Sequence, residues 1–246
     1  MALSSKTLDQ LARHLHACQR EARDTPKITD EHPQMDFDDA YAIQDRILAA
    51  KLKGGARVAG YKAGLTSHAK MKQMGVSDPV FGFLVDEFTV ADGGEVKVSE
   101  LIHPKVEPEI AFVTRAELRG PGCNIASVLA ASDIVLPGIE VIDSRYRDFK
   151  FDVKSVIADN TSAVRFVVGG HAVDARRVDL RTAGLVLEKN GVPVALGAGA
   201  AVLGHPAAAV AMLVNHLGRR GHSLPAGSLV LSGGATEAVS VQAGDH

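Results

Sequence analysis

From residue 57 onward the chain is written in short β-branched runs broken by Gly, Pro, Asp and Asn: RVAGYKAG, GEVKV, PEIAFVT, DIVLPGIEVID, AVRFVVGG, AGLVLEKNGVPVAL and SLVLSGG. Runs of this length and composition suit a pleated, half-buried surface, and their boundaries carry turn chemistry. They are too many and too close together for a regular alternation of strand and helix. The expectation is therefore a compact mixed sheet. Lys189-Asn190-Gly191 lies between two alternating runs, and Asn-Gly readily takes the positive φ angles of a tight hairpin turn.

The first 56 residues have a different texture. Leu8, Leu11, Ala12, Leu15 and Cys18 recur at helical spacing and form one apolar stripe, which Thr25-Pro26 ends. Asp36 is placed to cap a second helix that carries Tyr41, Ile43, Ile47, Leu48 and Leu52 and stops at Gly54-Gly55. Two later helices are expected, one starting near Asn124 and one running from Pro206 in its first turn to Gly218. The predicted fold is α+β, with a small helical N-terminal region over residues 1–56 and a β-rich body over 57–246.

A length of 246 residues can bury a sizeable core. The formal net charge of −2 and the lack of a Lys/Arg-rich run give no electrostatic basis for binding nucleic acid or an anionic membrane. No apolar run reads as a membrane span, and the charged N-terminus does not read as a signal peptide. Cys18 and Cys123 form neither a disulfide framework nor a zinc spacing. The expected setting is cytoplasmic, with both thiols reduced.

The segment HPKVEPEIAFV, residues 103–113, carries two glutamates in an apolar stretch. Alternate strand residues share a face, so Glu107 and Glu109 stand side by side. Pro108 between them cannot donate to a ladder, which suggests an edge strand or a mouth. Two adjacent carboxylates repel unless something positive lies between them, and a hard cation with oxygen ligands is a natural partner. Glu140, between Ile139 and Val141, is the candidate third ligand. The alternative is two solvated strand glutamates with Glu140 paired to an arginine such as Arg145.

Lys62 in AGYKAGLTS occupies a strand-like position and is either an exposed edge lysine or a charge held near a substrate oxygen. The cluster Asp159, Asn160, Thr161 and Ser162 reads as a capped turn in which Ser162 could donate to a carboxylate. GAGAAVLG, residues 197–204, misses the dinucleotide spacing and reads as close backbone packing. His14 and His16 are two apart on a helix and diverge.

Taken together, GYKAGLTS, MGVSDPVFGFL, HPKVEPEIAFV, GPGCN, VLPGIEVIDSRY, ADNTSA, LEKNG, GAGAAVLGHP and the terminal AGD resemble the fumarylacetoacetate hydrolase superfamily, in particular its branch of 2-keto-4-pentenoate hydratases and 4-oxalocrotonate decarboxylases. The resemblance implies a mixed β-roll body and a Mg²⁺ or Mn²⁺ held by Glu107, Glu109 and Glu140. It implies Lys62 as the active-site lysine, and a substrate pocket formed by Ser162, the backbone near Leu65 and the loop at Gly199. It also implies further strand residues beyond His246, a homo-oligomer, and a complex with a partner hydratase. Hydratases of the branch carry an acid where this chain has Val80, in Pro79-Val80-Phe81-Gly82. Asp78, two positions away, is a possible substitute, and Val80 and Phe81 would otherwise form an apolar wall. The resemblance thus points to decarboxylation of 2-oxo-3-hexenedioate. A hydratase of the same branch and a non-catalytic partner subunit are the alternatives.

Overall fold

The computed structural model describes residues 2–246. Helix α1 (Ser5–Arg20) starts at Ser4, whose side chain accepts from the Thr7 amide, and buries Leu8, Ala12, Leu15 and Cys18. Helix α2 (Phe37–Lys53) opens on a reciprocal capping box between Asp36 and Asp39. Its C-terminus passes through Gly54 into Gly55, at φ +102°.

Strand β1 (Val58–Gly64) leads through helix α3 (His68–Met74) to β2 (Val80–Val85) and the short β3 (Thr89–Val90). The GEVKV run, expected as a strand, is irregular and largely exposed. Residues 94–97 follow the turn at Asp92-Gly93 without joining a strand, and Val98 opens a short 3-10 turn (Val98–Glu100). Then come β4 (Lys105–Thr114), helix α4 (Ile125–Ala131) capped by Asn124, and β5 (Ser132–Ile142). Helix α5 (Val153–Ala158), capped by Asp152, precedes β6 (Ala163–Val168) and β7 (Val173–Asp174). The hairpin β8 (Gly184–Lys189) and β9 (Val192–Ala198) turns at Asn190-Gly191, both at positive φ. Helix α6 (Pro206–Arg219), β10 (Leu229–Leu231) and β11 (Val239–Ser240) complete the chain.

The main sheet runs β2-β1-β10-β4-β5-β6-β3, with β11 beside β4 and β7 beside β5. It is mixed: β1–β10 and β3–β6 are parallel, and the other pairs are antiparallel. Strand β4 is central, flanked by β5 on one side and by β10 and β11 on the other. Pro108 therefore does not mark an edge. Its carbonyl accepts from Ala235 in the gap between β10 and β11. A residue's N–H and C=O point the same way in a strand, so the missing donor falls where the ladder is already interrupted.

The sheet separates two cores. Leu8, Leu15, Ile43 and Ile47 of α1 and α2 pack with Leu84, Ala111, Ile157, Phe166 and Leu231 on one face. Ile110, Phe112 and Val230 meet Val128 of α4 and Leu213, Val214 and Leu217 of α6 on the other. The stretch Gly199–Arg219 is long and apolar enough to cross a membrane by length and composition. Its apolarity has a structural use here, because Ala207, Ala209, Val210, Leu213 and Val214 are buried in this second core. The last residues run along the hairpin turn: Asp245 pairs with Lys189 at 2.6 Å, and His246 exchanges hydrogen bonds with Asn190.

Candidate active site

Glu107 of β4 lies directly opposite Glu140 of β5, and Glu109 follows on the same face. One oxygen from each of the three lies within 4.8 Å of the others. Burial is nearly complete: Glu107 is 9% exposed, Glu109 1% and Glu140 0%. Two glycines after β10 bring backbone against the cluster. The Gly233 amide donates to Glu109 Oε2 at 2.6 Å. A side chain at Gly234 would come within 2.9 Å of the Glu107 carboxyl.

Lys62, the candidate lysine of β1, is 2% exposed. Its Nζ sits 2.9 Å from Glu140 Oε2, an ion pair without the angles of a hydrogen bond, and donates to the Thr161 carbonyl at 3.2 Å. Glu140 is therefore not the partner of Arg145, which pairs with Asp159. Burial, reinforced by Glu140, pushes Glu109 well above the ordinary carboxylate range. Burial likewise lifts Glu140 to about 7 against the opposing pull of Lys62. For Lys62 itself burial works against the charge, but Glu140, Glu109 and Glu107 outweigh it and raise the ammonium above its usual value.

Glu109 Oε1 and Glu140 Oε1 are buried and accept no hydrogen bond. Leaving such oxygens unpaired in a core costs several kcal/mol per ion. Three convergent carboxylates, two of them with unpartnered oxygens, and no thiol or imidazole among them match the ligand chemistry of a hard divalent cation. The residues present fit Mg²⁺ or Mn²⁺.

The turn that receives Lys62 is unusual. Asn160, Thr161 and Ser162 take φ values of 49°, 51° and 62°, three consecutive non-glycine residues in the left-handed region. Each costs on the order of 1–3 kcal/mol and needs support from its surroundings. Asn160 supplies part of that support: its side chain accepts from the Phe83 amide at 2.9 Å and donates to the Phe83 carbonyl at 3.0 Å, standing in for a neighbouring strand. The buried Arg145–Asp159 pair clamps the start of the turn, and the Asp143 amide donates to the Ser162 carbonyl at its end. Thr161 Oγ1 and Ser162 Oγ are left buried without partners.

A cleft of about 570 Å³ opens over the cluster. Lys62, Leu65, Val80, Glu107, Thr161 and Ser162 all line it. Leu65, at φ 56°, is a further left-handed residue at its wall. Gly199 is not brought to this cleft. It packs under Leu180, whose carbonyl would lie 1.7 Å from an added side-chain carbon. Phe81 faces the second core and stacks on His216 at 5.1 Å, so the apolar wall comes from Val80 without it. Asp78 precedes β2 and lies outside the cleft, where it accepts from Ser77. No carboxylate replaces Val80 at that wall. Lys105, Phe149, Lys150 and Phe151 also line the cleft and were not anticipated from the sequence. For Lys105 a signal was present, since it shares strand parity with Glu107 and Glu109.

No protein-family model matches the chain. It is 56% identical to a 4-oxalocrotonate decarboxylase of Pseudomonas sp. (strain CF600), over 96% of this chain and 89% of that protein. It is 40% identical to a 2-hydroxyhexa-2,4-dienoate hydratase of Comamonas testosteroni, over 97% and 91%. Among solved structures, the 4-oxalocrotonate decarboxylase from Pseudomonas putida G7 complexed with magnesium and adipate superposes with a TM-score of 0.97. That match has 52% identity and covers 99% of this chain and 92% of the other. A putative fumarylacetoacetate hydrolase family protein from Yersinia pestis CO92 shares the fold, with a TM-score of 0.54 at 16% identity over 75% and 84% of the two chains. The chain belongs to the fumarylacetoacetate hydrolase superfamily, within its branch of 4-oxalocrotonate decarboxylases and 2-keto-4-pentenoate hydratases.

Proposed function

We propose that this chain is a divalent-metal-dependent decarboxylase of 2-oxo-3-hexenedioate. The observation that carries the reading is the buried carboxylate cluster with unpartnered oxygens and a lysine ion-paired into it, in a cleft whose wall at Val80 is apolar. The 56% and 55% identities to two decarboxylases, against 42% and 40% to two hydratases, support it.

Glu107, Glu109 and Glu140 would hold the ion. Mg²⁺ bound there supplies Lewis acidity toward a keto oxygen that gains negative charge. In the reaction the bond between the distal carboxylate and its methylene carbon breaks and CO₂ leaves. The electron pair passes through the conjugated system to the keto oxygen, and a proton on that oxygen gives 2-hydroxypenta-2,4-dienoate. Lys62, fixed by Glu140 and the Thr161 carbonyl, is the positive group beside that oxygen and the one placed to hold its proton. The unpartnered hydroxyls of Thr161 and Ser162 are free to donate to the substrate's C1 carboxylate. Val80 offers no acid or base to activate water and shields the dienolate. The two free, buried thiols fit a reducing cytoplasm. The exposed Val186, Val192, Val194 and Leu196 of the β8–β9 hairpin support self-association, with a partner hydratase as a further binding candidate.

The test is to supply 2-oxo-3-hexenedioate with and without Mg²⁺ and to follow CO₂. Metal-dependent release is expected. Water addition to 2-hydroxypenta-2,4-dienoate without CO₂ release from the diacid would replace the reading with a hydratase. Inactivity toward both would leave a binding subunit.

A further inference from the structure

Five lysines line the cleft: Lys27, Lys62, Lys70, Lys105 and Lys150. Four of them are already paired. Lys62 meets Glu140, Lys70 lies 3.6 Å from Glu107, Lys27 lies 3.2 Å from Asp30, and Lys150 lies 3.3 Å from Asp148. Lys105 differs. Among the described residues no carboxylate comes within ion-pair distance of it, although it is part-buried, and its Nζ instead sits 4.3 Å above the ring of Phe149. An aromatic face holds an ammonium in place but leaves its hydrogen-bond donors for another group.

Its position along β4 says what that group would be. Lys105, Glu107 and Glu109 alternate on one strand and face one side. Two residues of strand separate Lys105 from Glu107 by roughly 7 Å. The two carboxyl carbons of an extended six-carbon diacid are separated by five C–C bonds, a span of roughly 6 Å. A diacid with its 2-oxo end on the glutamate cluster therefore reaches Lys105 with its far carboxylate. A monoacid of the same length presents only a methyl group there.

We propose that Lys105, held by Phe149, is the distal-carboxylate subsite that makes this cleft selective for six-carbon 2-oxo diacids over 2-oxo monoacids. The inference rests on the decarboxylase reading and names the residue that selects its substrate class. The carboxylate held by Lys105 loses its charge as CO₂ departs. The ammonium thus stabilises the bound substrate at least as well as the transition state, and its removal should act on KM rather than kcat.

The experiment is calorimetric titration of the Mg²⁺-loaded protein with 2-oxoadipate and with 2-oxohexanoate, which have the same chain length and differ in the far carboxylate. The unmodified protein should bind 2-oxoadipate at least about tenfold more tightly. In Lys105→Met that preference should fall to near unity with 2-oxohexanoate binding retained, and KM for the diacid substrate should rise with kcat kept. Lys105→Arg should retain the preference, which guards against a general effect of substitution at this position. A preference unchanged in Lys105→Met, or equal losses for both ligands, would overturn the proposal. Equal binding of both ligands by the unmodified protein would overturn it while leaving the decarboxylase reading intact. Metal-independent binding, or no binding of either ligand, would overturn both.

Discussion

Two clusters of buried charge lie close together in this protein, and their hydrogen bonding separates them. In the first, Arg145 donates its side-chain nitrogens to Asp159 and to the Asp143 carbonyl at 2.7 Å, and its backbone amide reaches Asp159 Oδ2 at 3.1 Å. Asp143 in turn accepts from the amides of Ile102 at 2.8 Å and His103 at 2.7 Å. In the second, Glu109, Glu140, Thr161 and Ser162 keep buried oxygens without partners. A satisfied network holds backbone in place, whereas an unsatisfied one is complete only with something bound. Sequence position alone cannot tell the two apart, since both consist of acids and bases in apolar segments. The count of unfilled lone pairs does.

The comparison can be broken by mutation. Glu109→Gln keeps an acceptor for Gly233 but removes a metal-ligating charge. Turnover should fall by roughly 10³-fold, the scale of several kcal/mol of lost Lewis-acid stabilisation. The melting temperature of the metal-free protein should hold or rise, because a group whose charge is opposed by burial and by Glu140 is replaced by a neutral amide. A destabilised Glu109→Gln protein that still turns over would place the two clusters in one class. Asp159→Ala should do the opposite. It leaves a buried guanidinium uncompensated, with an expected loss of about 3–5 kcal/mol in denaturant unfolding. An Asp159→Ala protein of unchanged stability would contradict the structural role assigned to this pair.

The third test is pH dependence. Glu140 titrates at about 7 in the folded protein, above the ordinary value of a glutamate in an unfolded chain. Between those values the folded state holds the proton and the unfolded state does not, so stability falls as pH rises through that window. In the metal-free protein Glu140 alone should contribute on the order of 3 kcal/mol to that loss between pH 4.5 and 7.5, and Glu109, raised in the same direction, adds to it. Saturating Mg²⁺ should flatten that slope, because the bound ion favours the ionised carboxylates. Asp159, lifted to about 6 mainly by burial, contributes a slope of the same sign under both conditions. The difference between the two curves therefore isolates the glutamates. Identical curves with and without Mg²⁺ would remove the distinction between the clusters.

Much of this was legible in the residues. The strand parity of Glu107 and Glu109, the Asp36 and Asn124 caps, the Asn190-Gly191 turn and Pro206 in the first turn of α6 are local signals, and the structure realises each of them. Helices α3 and α5, of 7 and 6 residues, went unread because two turns are too short to establish a period. Pro108 suggested an edge because a proline cannot reveal that its neighbouring ladder is interrupted at that same residue. Pairings are non-local, so the sequence left open whether Glu140 would meet Arg145 or Lys62. The fold decided it by bringing β1 and the Thr161 turn together over β5. Lys105 was overlooked for a different reason. A lysine near a strand end is ordinary, and only its lack of a counter-ion in the folded cleft sets it apart.

The left-handed run at Asn160–Ser162 has a consequence for anyone who would make this protein more heat-resistant. Glycine at any of these three positions would release backbone strain, and by that measure alone it would be an attractive replacement. Yet the same bend presents the carbonyl that Lys62 grips and the hydroxyls that face the cleft. Relaxing it would let the ammonium drift from its post, so durability and speed are set against each other at this one corner of the fold.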